Sequence, residues 1–303
     1  MSRFSSPRVR FAGLVILAGV LGPGVDVAAQ KAPRTKRKPL HLSDTSIYVM
    51  HADGKGLKWL VREEKFQWQG SPVFSPSGKQ IAWDAKKPGG GGSTIFIANV
   101  DGSRIRRVTG GARPKWLTDT TLLFRKGADR LFTVKTDGTA ERFLAKGKSP
   151  ELTADRKWIV FVLDGKVVAM DADGAHRRSV SPKPPLDEFN GVSVSSDGKR
   201  VAYVGRGNGG QVIYVADWKT GKGEKLADPP GREFFPNFSP DGKKLAFCAG
   251  SSFLGPGEPK SRIYLIDLAT KKVTPLTDAT HHCRDASWSS DGKRLLLQST
   301  RPK

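Results

Sequence analysis

A strand–turn–strand unit recurs six times along the sequence, and this repetition limits the folds that the chain can adopt. One copy reads FSPDGKKLAF, from Phe238 to Phe247, in which two apolar runs flank a tight turn. The anchoring residues of successive copies lie 42, 36, 42, 44 and 50 residues apart by subtraction. A period of roughly 40–45 residues is typical of propeller blades. The copies span 71–85, 112–126, 148–164, 190–205, 235–250 and 284–299, with anchors Phe74, Trp116, Leu152, Val194, Phe238 and Trp288.

A second hairpin lies between consecutive copies of the first, and the order of the two types predicts how the fold closes. The second type occurs at 46–61, 94–109, 130–144, 166–180, 211–226 and 262–277. A second-type hairpin at the N-terminus and a first-type hairpin at the C-terminus are therefore each left without a partner. Joining them completes one blade and removes the exposed sheet edges. We predict an all-β fold, a six-bladed β-propeller of four-stranded blades over 43–300, whose last blade takes inner strands from the C-terminus and outer strands from the N-terminus.

The turn between the two strands of each copy has a local chemical explanation. In Ser239-Pro240-Asp241-Gly242, proline presets its backbone angle, aspartate bonds neighbouring backbone, and glycine takes the left-handed position that returns the chain. The flanking strands are apolar on both faces, as expected when blades pack on either side. The second copy departs from the pattern, because Asp119-Thr120 replaces Asp-Gly. We interpret Asp241 as a turn residue rather than a catalytic acid or a metal ligand.

These motifs resemble the WD40-like PD40 repeats of the periplasmic TolB family. FSPDGKKLAF, SWSSDGKRLLL and IYLID carry the resemblance, which covers nearly all of the chain that follows the N-terminal segment. The resemblance implies a propeller fold and is far less specific for function. In TolB an α/β domain precedes the propeller, whereas a short basic segment stands in that place here.

The first 42 residues predict export. Arg3, Arg8 and Arg10 precede the apolar run FAGLVILAGVLG, and VDVAAQ follows with small residues placed for cleavage after Ala29. This three-part pattern is that of a secretory signal peptide, predicted for 1–29. The alternative is a retained membrane anchor, but the apolar run is shorter than the roughly 20 residues that span a bilayer. A basic linker is predicted for 30–42, and a periplasmic or secreted protein is expected.

The strong positive charge biases the choice of partner. The chain carries a formal net charge of +22 at pH 7, much of it on lysines that follow turn glycines. Such an excess attracts anionic partners, so we expect a protein or an anionic envelope component. Nucleic acid is not the expected partner of an exported protein, and binding of polyanions through net charge alone is a third hypothesis. A monomer is expected, with no transmembrane span in the mature chain and no cofactor.

The loops that lead into the six innermost strands are expected to gather at one face around the central channel, here called the lead-in face. These loops differ between blades, which makes them better candidates for function than the repeated turns. Arginine and aromatic residues in them suit a protein-binding surface, and Phe235 is expected to add apolar contact. The predicted binding residues are Arg113, Lys148, Glu188, Phe189, Asn190, Arg232, Glu233, Phe234, His281, His282 and Arg284.

A propeller enzyme, such as a metal-dependent polysaccharide lyase or a hydrolase, is the alternative function. The segment THHCRD places His281, His282 and Asp285 close together, and these residue types can ligate a transition metal. Propeller lyases that bind metal through histidine draw their ligands from several blades, whereas here the candidates share one loop. No GxSxG elbow, P-loop or dinucleotide fingerprint is present. The sequence predicts no catalytic residue and favours a non-enzymatic scaffold.

The two cysteines, Cys248 and Cys283, are predicted to lie at the same face of adjacent blades. An even cysteine count in an oxidising compartment allows one disulfide between them, provided that their Cα atoms lie within about 7 Å.

Overall fold

The computed structural model describes residues 44–61, 63, 65–89, 91–186, 191–207, 210–226, 232–250 and 260–300. The predicted signal peptide (1–29), the linker (30–42) and the binding residues Glu188, Phe189 and Asn190 lie outside the described residues. Every regular element of the described part is a β-strand. A helix with the length and apolar character needed to cross a membrane does not occur in these ranges.

The strands form six four-stranded antiparallel sheets. In chain order they are β1 (Thr45–His51), β2 (Lys58–Val61), β3 (Trp68–Phe74), β4 (Gln80–Lys86), β5 (Thr94–Asn99), β6 (Arg106–Gly110), β7 (Ala112–Thr118), β8 (Thr121–Lys126), β9 (Arg130–Lys135), β10 (Arg142–Lys146), β11 (Lys148–Leu152), β12 (Trp158–Leu163), β13 (Lys166–Asp171), β14 (Arg178–Val180), β15 (Val192–Val194), β16 (Arg200–Gly207), β17 (Gly210–Asp217), β18 (Gly223–Lys225), β19 (Arg232–Phe238), β20 (Lys244–Gly250), β21 (Arg262–Asp267), β22 (Val273–Pro275), β23 (Cys283–Trp288) and β24 (Arg294–Thr300). Blades 1 to 5 contain β3–β6, β7–β10, β11–β14, β15–β18 and β19–β22, and blade 6 has the order β23–β24–β1–β2.

The six innermost strands form a closed ring around a channel. Strands β3, β7, β11, β15, β19 and β23 each contact the innermost strands of both neighbouring blades, so the last returns to the first. The structure is a six-bladed β-propeller, as the repeat predicts.

Blade 6 is assembled from both ends of the chain, which confirms the predicted closure. Strand β1 pairs antiparallel with β24 over its whole length, from Thr45 opposite Thr300 to His51 opposite Arg294. The pairing has no irregularity, and β2 continues the sheet outward from β1. Without β1, the backbone groups of β24 would form an open edge that invites association with other chains.

The hydrophobic core is divided into six clusters, and each cluster fills one interface between adjacent blades. The cluster between blades 6 and 1 joins Ile47 and Leu296 to Trp83, all fully buried. The cluster between blades 5 and 6 joins Met50 to Cys248. Because neighbouring residues of a strand point to opposite faces, each inner strand supplies both of its interfaces and is apolar on both sides.

The repeated Asp-Gly turns hold themselves together with a fixed set of hydrogen bonds. In blade 5 the Ser239 hydroxyl donates to Asp241 Oδ1 at 2.6 Å, and the Lys243 amide donates to the same oxygen at 3.0 Å. These bonds lower the pKa of Asp241, the Ser239 hydroxyl contributing most. The interpretation of Asp241 as a turn residue is confirmed, because its carboxylate is engaged within its own turn.

The departure at Asp119 also has a structural explanation. Its carboxylate reaches the turn of blade 1, where Oδ1 accepts from the Ser77 hydroxyl at 2.8 Å and from the Ser77 amide at 3.1 Å. The aspartate thus links two blades instead of closing its own turn. Within its own turn, the Thr120 amide donates to the Thr118 hydroxyl at 3.2 Å and not to Asp119.

Replacing Ile47 by alanine is expected to destabilise the propeller by about 2–5 kcal/mol, because a fully buried side chain at the closing interface is removed. His51→Ala is the matched control, since His51 is exposed at the other end of the same strand. The control should change the free energy of unfolding by no more than about 0.5 kcal/mol. Urea unfolding of both variants measures the difference; equal effects would contradict the proposed importance of the closing interface.

Candidate functional site

The central channel contains a cavity at each end. The cavity where the innermost strands finish has a volume of about 360 Å³. It is lined by all six repeat anchors, namely Phe74, Trp116, Leu152, Val194, Phe238 and Trp288, together with hydroxyl groups of the turns. We call this the turn end. Its lining is largely that of the repeat itself, so it varies little from blade to blade.

The cavity at the opposite end, where the innermost strands begin, has a volume of about 240 Å³ and a different character. Trp68, the first residue of β3, and Lys86, the last residue of β4, place it at the lead-in face. We call this the lead-in cavity. Charged groups dominate its lining: Asp84, Lys86, Arg113, Arg125, Arg284 and Asp285.

A repeated backbone irregularity positions several of these groups. Five innermost strands carry a β-bulge at equivalent positions, in blades 1, 2, 3, 5 and 6. Each bulge contains one non-glycine residue with φ between +49° and +56°: Ser71, Arg113, Ser149, Phe235 and Asp285. In blade 4 the matching residue is Gly191, with φ of +90°. Such backbone angles are uncommon for non-glycine residues and often mark functional sites.

Proline follows the bulge residue in four of the blades, as Pro72, Pro114, Pro150 and Pro236. A bulge interrupts the hydrogen-bond ladder, and proline has no amide hydrogen to leave unpaired there. The sequence therefore contains a signal for the bulge, an X-Pro pair near the start of the innermost strand in four of the six blades.

Asp84 is the most perturbed acid of the lead-in cavity. It lies on β4, is 1% exposed, and its Oδ1 has no hydrogen-bond partner among the described residues. Burial raises the pKa of Asp84 to about 6 and the negative charge of Asp285 assists, whereas the positive charge of Arg113 and hydrogen bonds from the Ser71 hydroxyl and the Arg113 amide oppose the rise. An unsatisfied buried polar atom costs about 1–3 kcal/mol, so this side chain is held at the expense of stability.

Two arginines of the lead-in cavity stack on one aromatic ring. The guanidinium carbons of Arg113 and Arg284 lie 5.1 and 5.3 Å from the centroid of the Phe235 ring. Arg284 also lies 5.7 Å from the Phe234 ring. These are cation–π distances, and a guanidinium group beside an aromatic ring still has N–H groups that can donate to an anion.

A cavity of smaller volume lies between the two ends and shares lining residues with both, and an ion pair between blades 2 and 3 lines it. Lys115 Nζ lies 2.6 Å from Glu151 Oε1. Burial raises the pKa of Glu151, and the charge of Lys115 opposes that effect. This pair satisfies itself, unlike the charges of the lead-in cavity.

The structure brings together some of the sequence-predicted binding residues and separates others. Arg113 and Arg284 line the lead-in cavity, Arg232 is exposed at the start of β19, and Lys148 begins β11 half-buried. Three predicted surface residues are instead buried: Glu233, Phe234 and His282. The Glu233 carboxylate accepts a hydrogen bond from the Ile213 amide of blade 4, and Phe234 packs in the cluster between blades 5 and 6.

The weak metal candidates are oriented in different directions. His282 Nδ1 accepts from the Ser261 amide at 2.8 Å, and burial lowers the pKa of His282 to about 4. His281 Nδ1 lies 2.8 Å from the Thr280 hydroxyl, whereas Asp285 accepts from the Ser71 hydroxyl at 3.2 Å in the channel. Within the described ranges, no three His, Cys, Asp or Glu side chains are grouped to hold a metal ion.

The two cysteines belong to one cluster but are unbonded thiols in the structure. Cys248 Sγ donates to the Cys283 carbonyl and Cys283 Sγ to the Ser299 hydroxyl, each at 3.5 Å. Burial raises the pKa of Cys248 to about 12 and also raises that of Cys283. The disulfide allowed by the sequence stays a prediction.

The sequence-predicted residues omit five charged residues of the channel: Asp84, Lys86, Lys115, Arg125 and Glu151. Each lies within a strand, whereas the predicted residues were placed in loops. A charged residue inside an apolar inner strand, as in QIAWDA, was the available signal.

Comparison with protein families identifies PD40, described as the TolB beta propeller domain, over residues 159–302. Among curated proteins, the Tol-Pal system protein TolB of Francisella tularensis subsp. holarctica is 31% identical over 112 residues. That match covers 37% of this chain and 25% of the relative, so it spans a quarter of the relative's length.

Solved structures share the fold at low sequence identity. A protein assigned as TolB in Agrobacterium tumefaciens has a TM-score of 0.65 at 16% identity, covering 86% of this chain and 99% of that one. TolB from Acinetobacter baumannii has a TM-score of 0.55 at 17% identity, covering 86% and 65%. A chain of the nidogen/laminin complex has a TM-score of 0.57 at 15% identity, covering 76% and 92%.

Asp84→Asn is expected to stabilise the protein at pH 7 by up to about 3 kcal/mol, and this advantage should vanish below about pH 4. The pKa of Asp84 is about 6 in the folded protein against 3.8 ordinarily, so the wild-type fold loses stability as pH rises through that interval. Urea unfolding of both proteins between pH 4 and 7 gives the difference.

Two other groups serve as internal references for this experiment. His282, with its pKa lowered to about 4, acts in the opposite direction, since stability is lost as pH falls from 6.5 towards 4. Asp101→Asn is the control, because hydrogen bonds from Ser103 lower the pKa of Asp101 and its removal should reduce stability at pH 7. A constant gain for Asp84→Asn at every pH would contradict a raised pKa.

Proposed function

Because this chain is a TolB-like propeller of PD40 repeats, we propose that it is an exported, non-enzymatic scaffold that binds an acidic protein partner. The TolB of Francisella tularensis is a Tol-Pal system protein, which supports a role in assembly at the cell envelope. The predicted signal peptide supports export. An anionic envelope component is the alternative partner of the same surface.

The charge of the lead-in face is the observation that carries this proposal. Four cations, Lys86, Arg113, Arg125 and Arg284, face two carboxyls in the lead-in cavity. Further exposed cations lie at the lead-in face, among them Lys146 at the end of β10 and Arg232 at the start of β19. Arginine on aromatic rings, with a rim of charge around it, is the composition of protein-binding surfaces.

The exposed charged and polar residues of the lead-in face are here called the rim. Their positive charges are suited to steering an acidic partner towards the channel. Opposite charges accelerate association and select among partners, and salt screens this effect. The predicted binding residues Arg232, Lys148 and His281 belong to this rim, whereas Glu233, Phe234 and His282 support it from within the fold.

Reversal of two rim charges tests the proposal. Arg232→Glu combined with Lys146→Glu is expected to slow association of the partner by roughly tenfold or more at low salt. The matched control is Lys199→Glu combined with Lys243→Glu, which makes the same change of net charge at exposed residues of the opposite, turn face. Envelope extract passed over the full-length protein and both variants identifies partners that only the first variant loses.

Association rates of a recovered partner at several salt concentrations complete the experiment. Loss of binding in both variants to the same extent would show that net charge alone attracts the partner. Equal retention in both would contradict the lead-in face as the binding surface.

A further inference from the structure

Two residues that line the lead-in cavity each have a buried polar atom without a hydrogen-bond partner among the described residues, and the two atoms are opposite in hydrogen-bonding character. Asp84 Oδ1 is an acceptor and Arg125 Nε is a donor. Arg125 Nη1 is held by the Ala128 carbonyl at 2.8 Å, which fixes the guanidinium while its Nε stays unsatisfied. A molecule that offers both a donor and an acceptor within a few bonds would satisfy both atoms.

The opposite charges of this cavity lie near one another without pairing. Within the described ranges, neither Asp84 nor Asp285 forms an ion pair with Arg113, Arg125 or Arg284. The bulge backbone explains the separation, because φ of +54° at Arg113 and +56° at Asp285 fixes where their side chains start. Phe235 then holds two of the arginines by stacking. The Ser71 hydroxyl donates to Asp285 at 3.2 Å and also bonds Asp84, so the two carboxyls are linked through a hydroxyl while the cationic groups of the cavity keep unpaired charge.

We propose that the lead-in cavity binds a free acidic α-amino acid, of the class of L-glutamate and L-aspartate. Its ammonium group lies against the carboxyls of Asp84 and Asp285, beside the Ser71 hydroxyl, and one of its three N–H groups donates to the unsatisfied Asp84 oxygen. Its carboxylates lie against the N–H edges of Arg113, Arg125 and Arg284, which suit bidentate contact. This site goes beyond the proposed function, because it takes a small molecule inside the channel rather than a protein on its rim.

The charge of the described cavity lining selects this ligand class. Four cations against two carboxyls leave the cavity with an excess of two positive charges, so a ligand with net negative charge fits better than a neutral amino acid. The volume of about 240 Å³ equals about eight water molecules at roughly 30 Å³ each. A water molecule could satisfy single atoms but would leave the excess charge unbalanced.

A series of analogues tests the proposal in the unmodified full-length protein. Calorimetric titration should show that L-glutamate binds, and that glutarate, which lacks the ammonium group, binds about tenfold more weakly or worse. L-glutamine lacks one carboxylate and should also bind more weakly. Sulfate serves as a probe for a site that recognises any anion.

Substitutions in the cavity then separate the two halves of the site. Asp84→Asn should lower the affinity for L-glutamate by about tenfold or more and leave that for glutarate unchanged or improved. Arg113→Gln should weaken both ligands. Asp101→Asn and Arg107→Gln are matched controls with the same charge changes at exposed positions of blade 1, and neither should alter binding. If Asp84→Asn fails to fold, Asp285→Asn takes its place.

Several results would overturn the proposal. One is the absence of any heat of binding for L-glutamate or L-aspartate at millimolar concentration. Another is an affinity for glutarate equal to that for L-glutamate, or full competition by sulfate. The last is binding of L-glutamate that Asp84→Asn leaves intact. None of them bears on the protein partner, whose binding is measured with the rim variants, so the two proposals fail independently.

Discussion

The pairing of β1 with β24 is the interaction on which the rest of the structure depends. A closed ring of six blades has six interfaces, whereas an open row of six would have five. Strand β1 contributes to two of them, because its side chains alternate: Ile47 packs towards blade 1, and Tyr48 and Met50 pack towards blade 5. The same pairing keeps β23 in contact with β3 and so completes the channel wall. Every group in the lead-in cavity, which draws on blades 1, 2, 5 and 6, depends on that closure.

Within the ring, one backbone feature is repeated while the chemistry is not. The bulge recurs in five blades with nearly the same φ, and glycine occupies the equivalent position in the sixth. The side chains at the five bulge positions, however, differ: they are Ser71, Arg113, Ser149, Phe235 and Asp285. The fold thus supplies a ring of equivalent positions at the channel, and the sequence places a different group at each one. This separates the parts that make the propeller from the parts that give it a binding specificity.

The repeat predicted the fold because its signals can be recognised in short segments of sequence. These signals are the turn chemistry, the strand alternation and the order of the two hairpins. The site was less predictable, since it depends on where strands begin. Strands β19 and β23 start at Arg232 and Cys283, earlier than loop-based reasoning assumed. Residues there alternate between two environments, so Arg232 is exposed while Glu233 is buried. Asp84 was missed for a related reason: the charge within QIAWDA marks it as an unusual strand residue, but only the packing of the blades places it in the channel.

The contrast between the two charged groups in the channel explains why the lead-in end, and not the middle, is suited to a ligand. Lys115 and Glu151 extend from neighbouring blades and meet at 2.6 Å, so each satisfies the other. At the lead-in end, Arg113 and Arg284 lie beside Phe235, Arg113 and Asp285 have the fixed bulge angles, and no such ion pair forms among the described residues. Asp84 therefore stays buried with an unsatisfied oxygen, at a cost in stability. Such an arrangement persists only where the surrounding structure is rigid enough to hold it, and the six packed interfaces provide that rigidity.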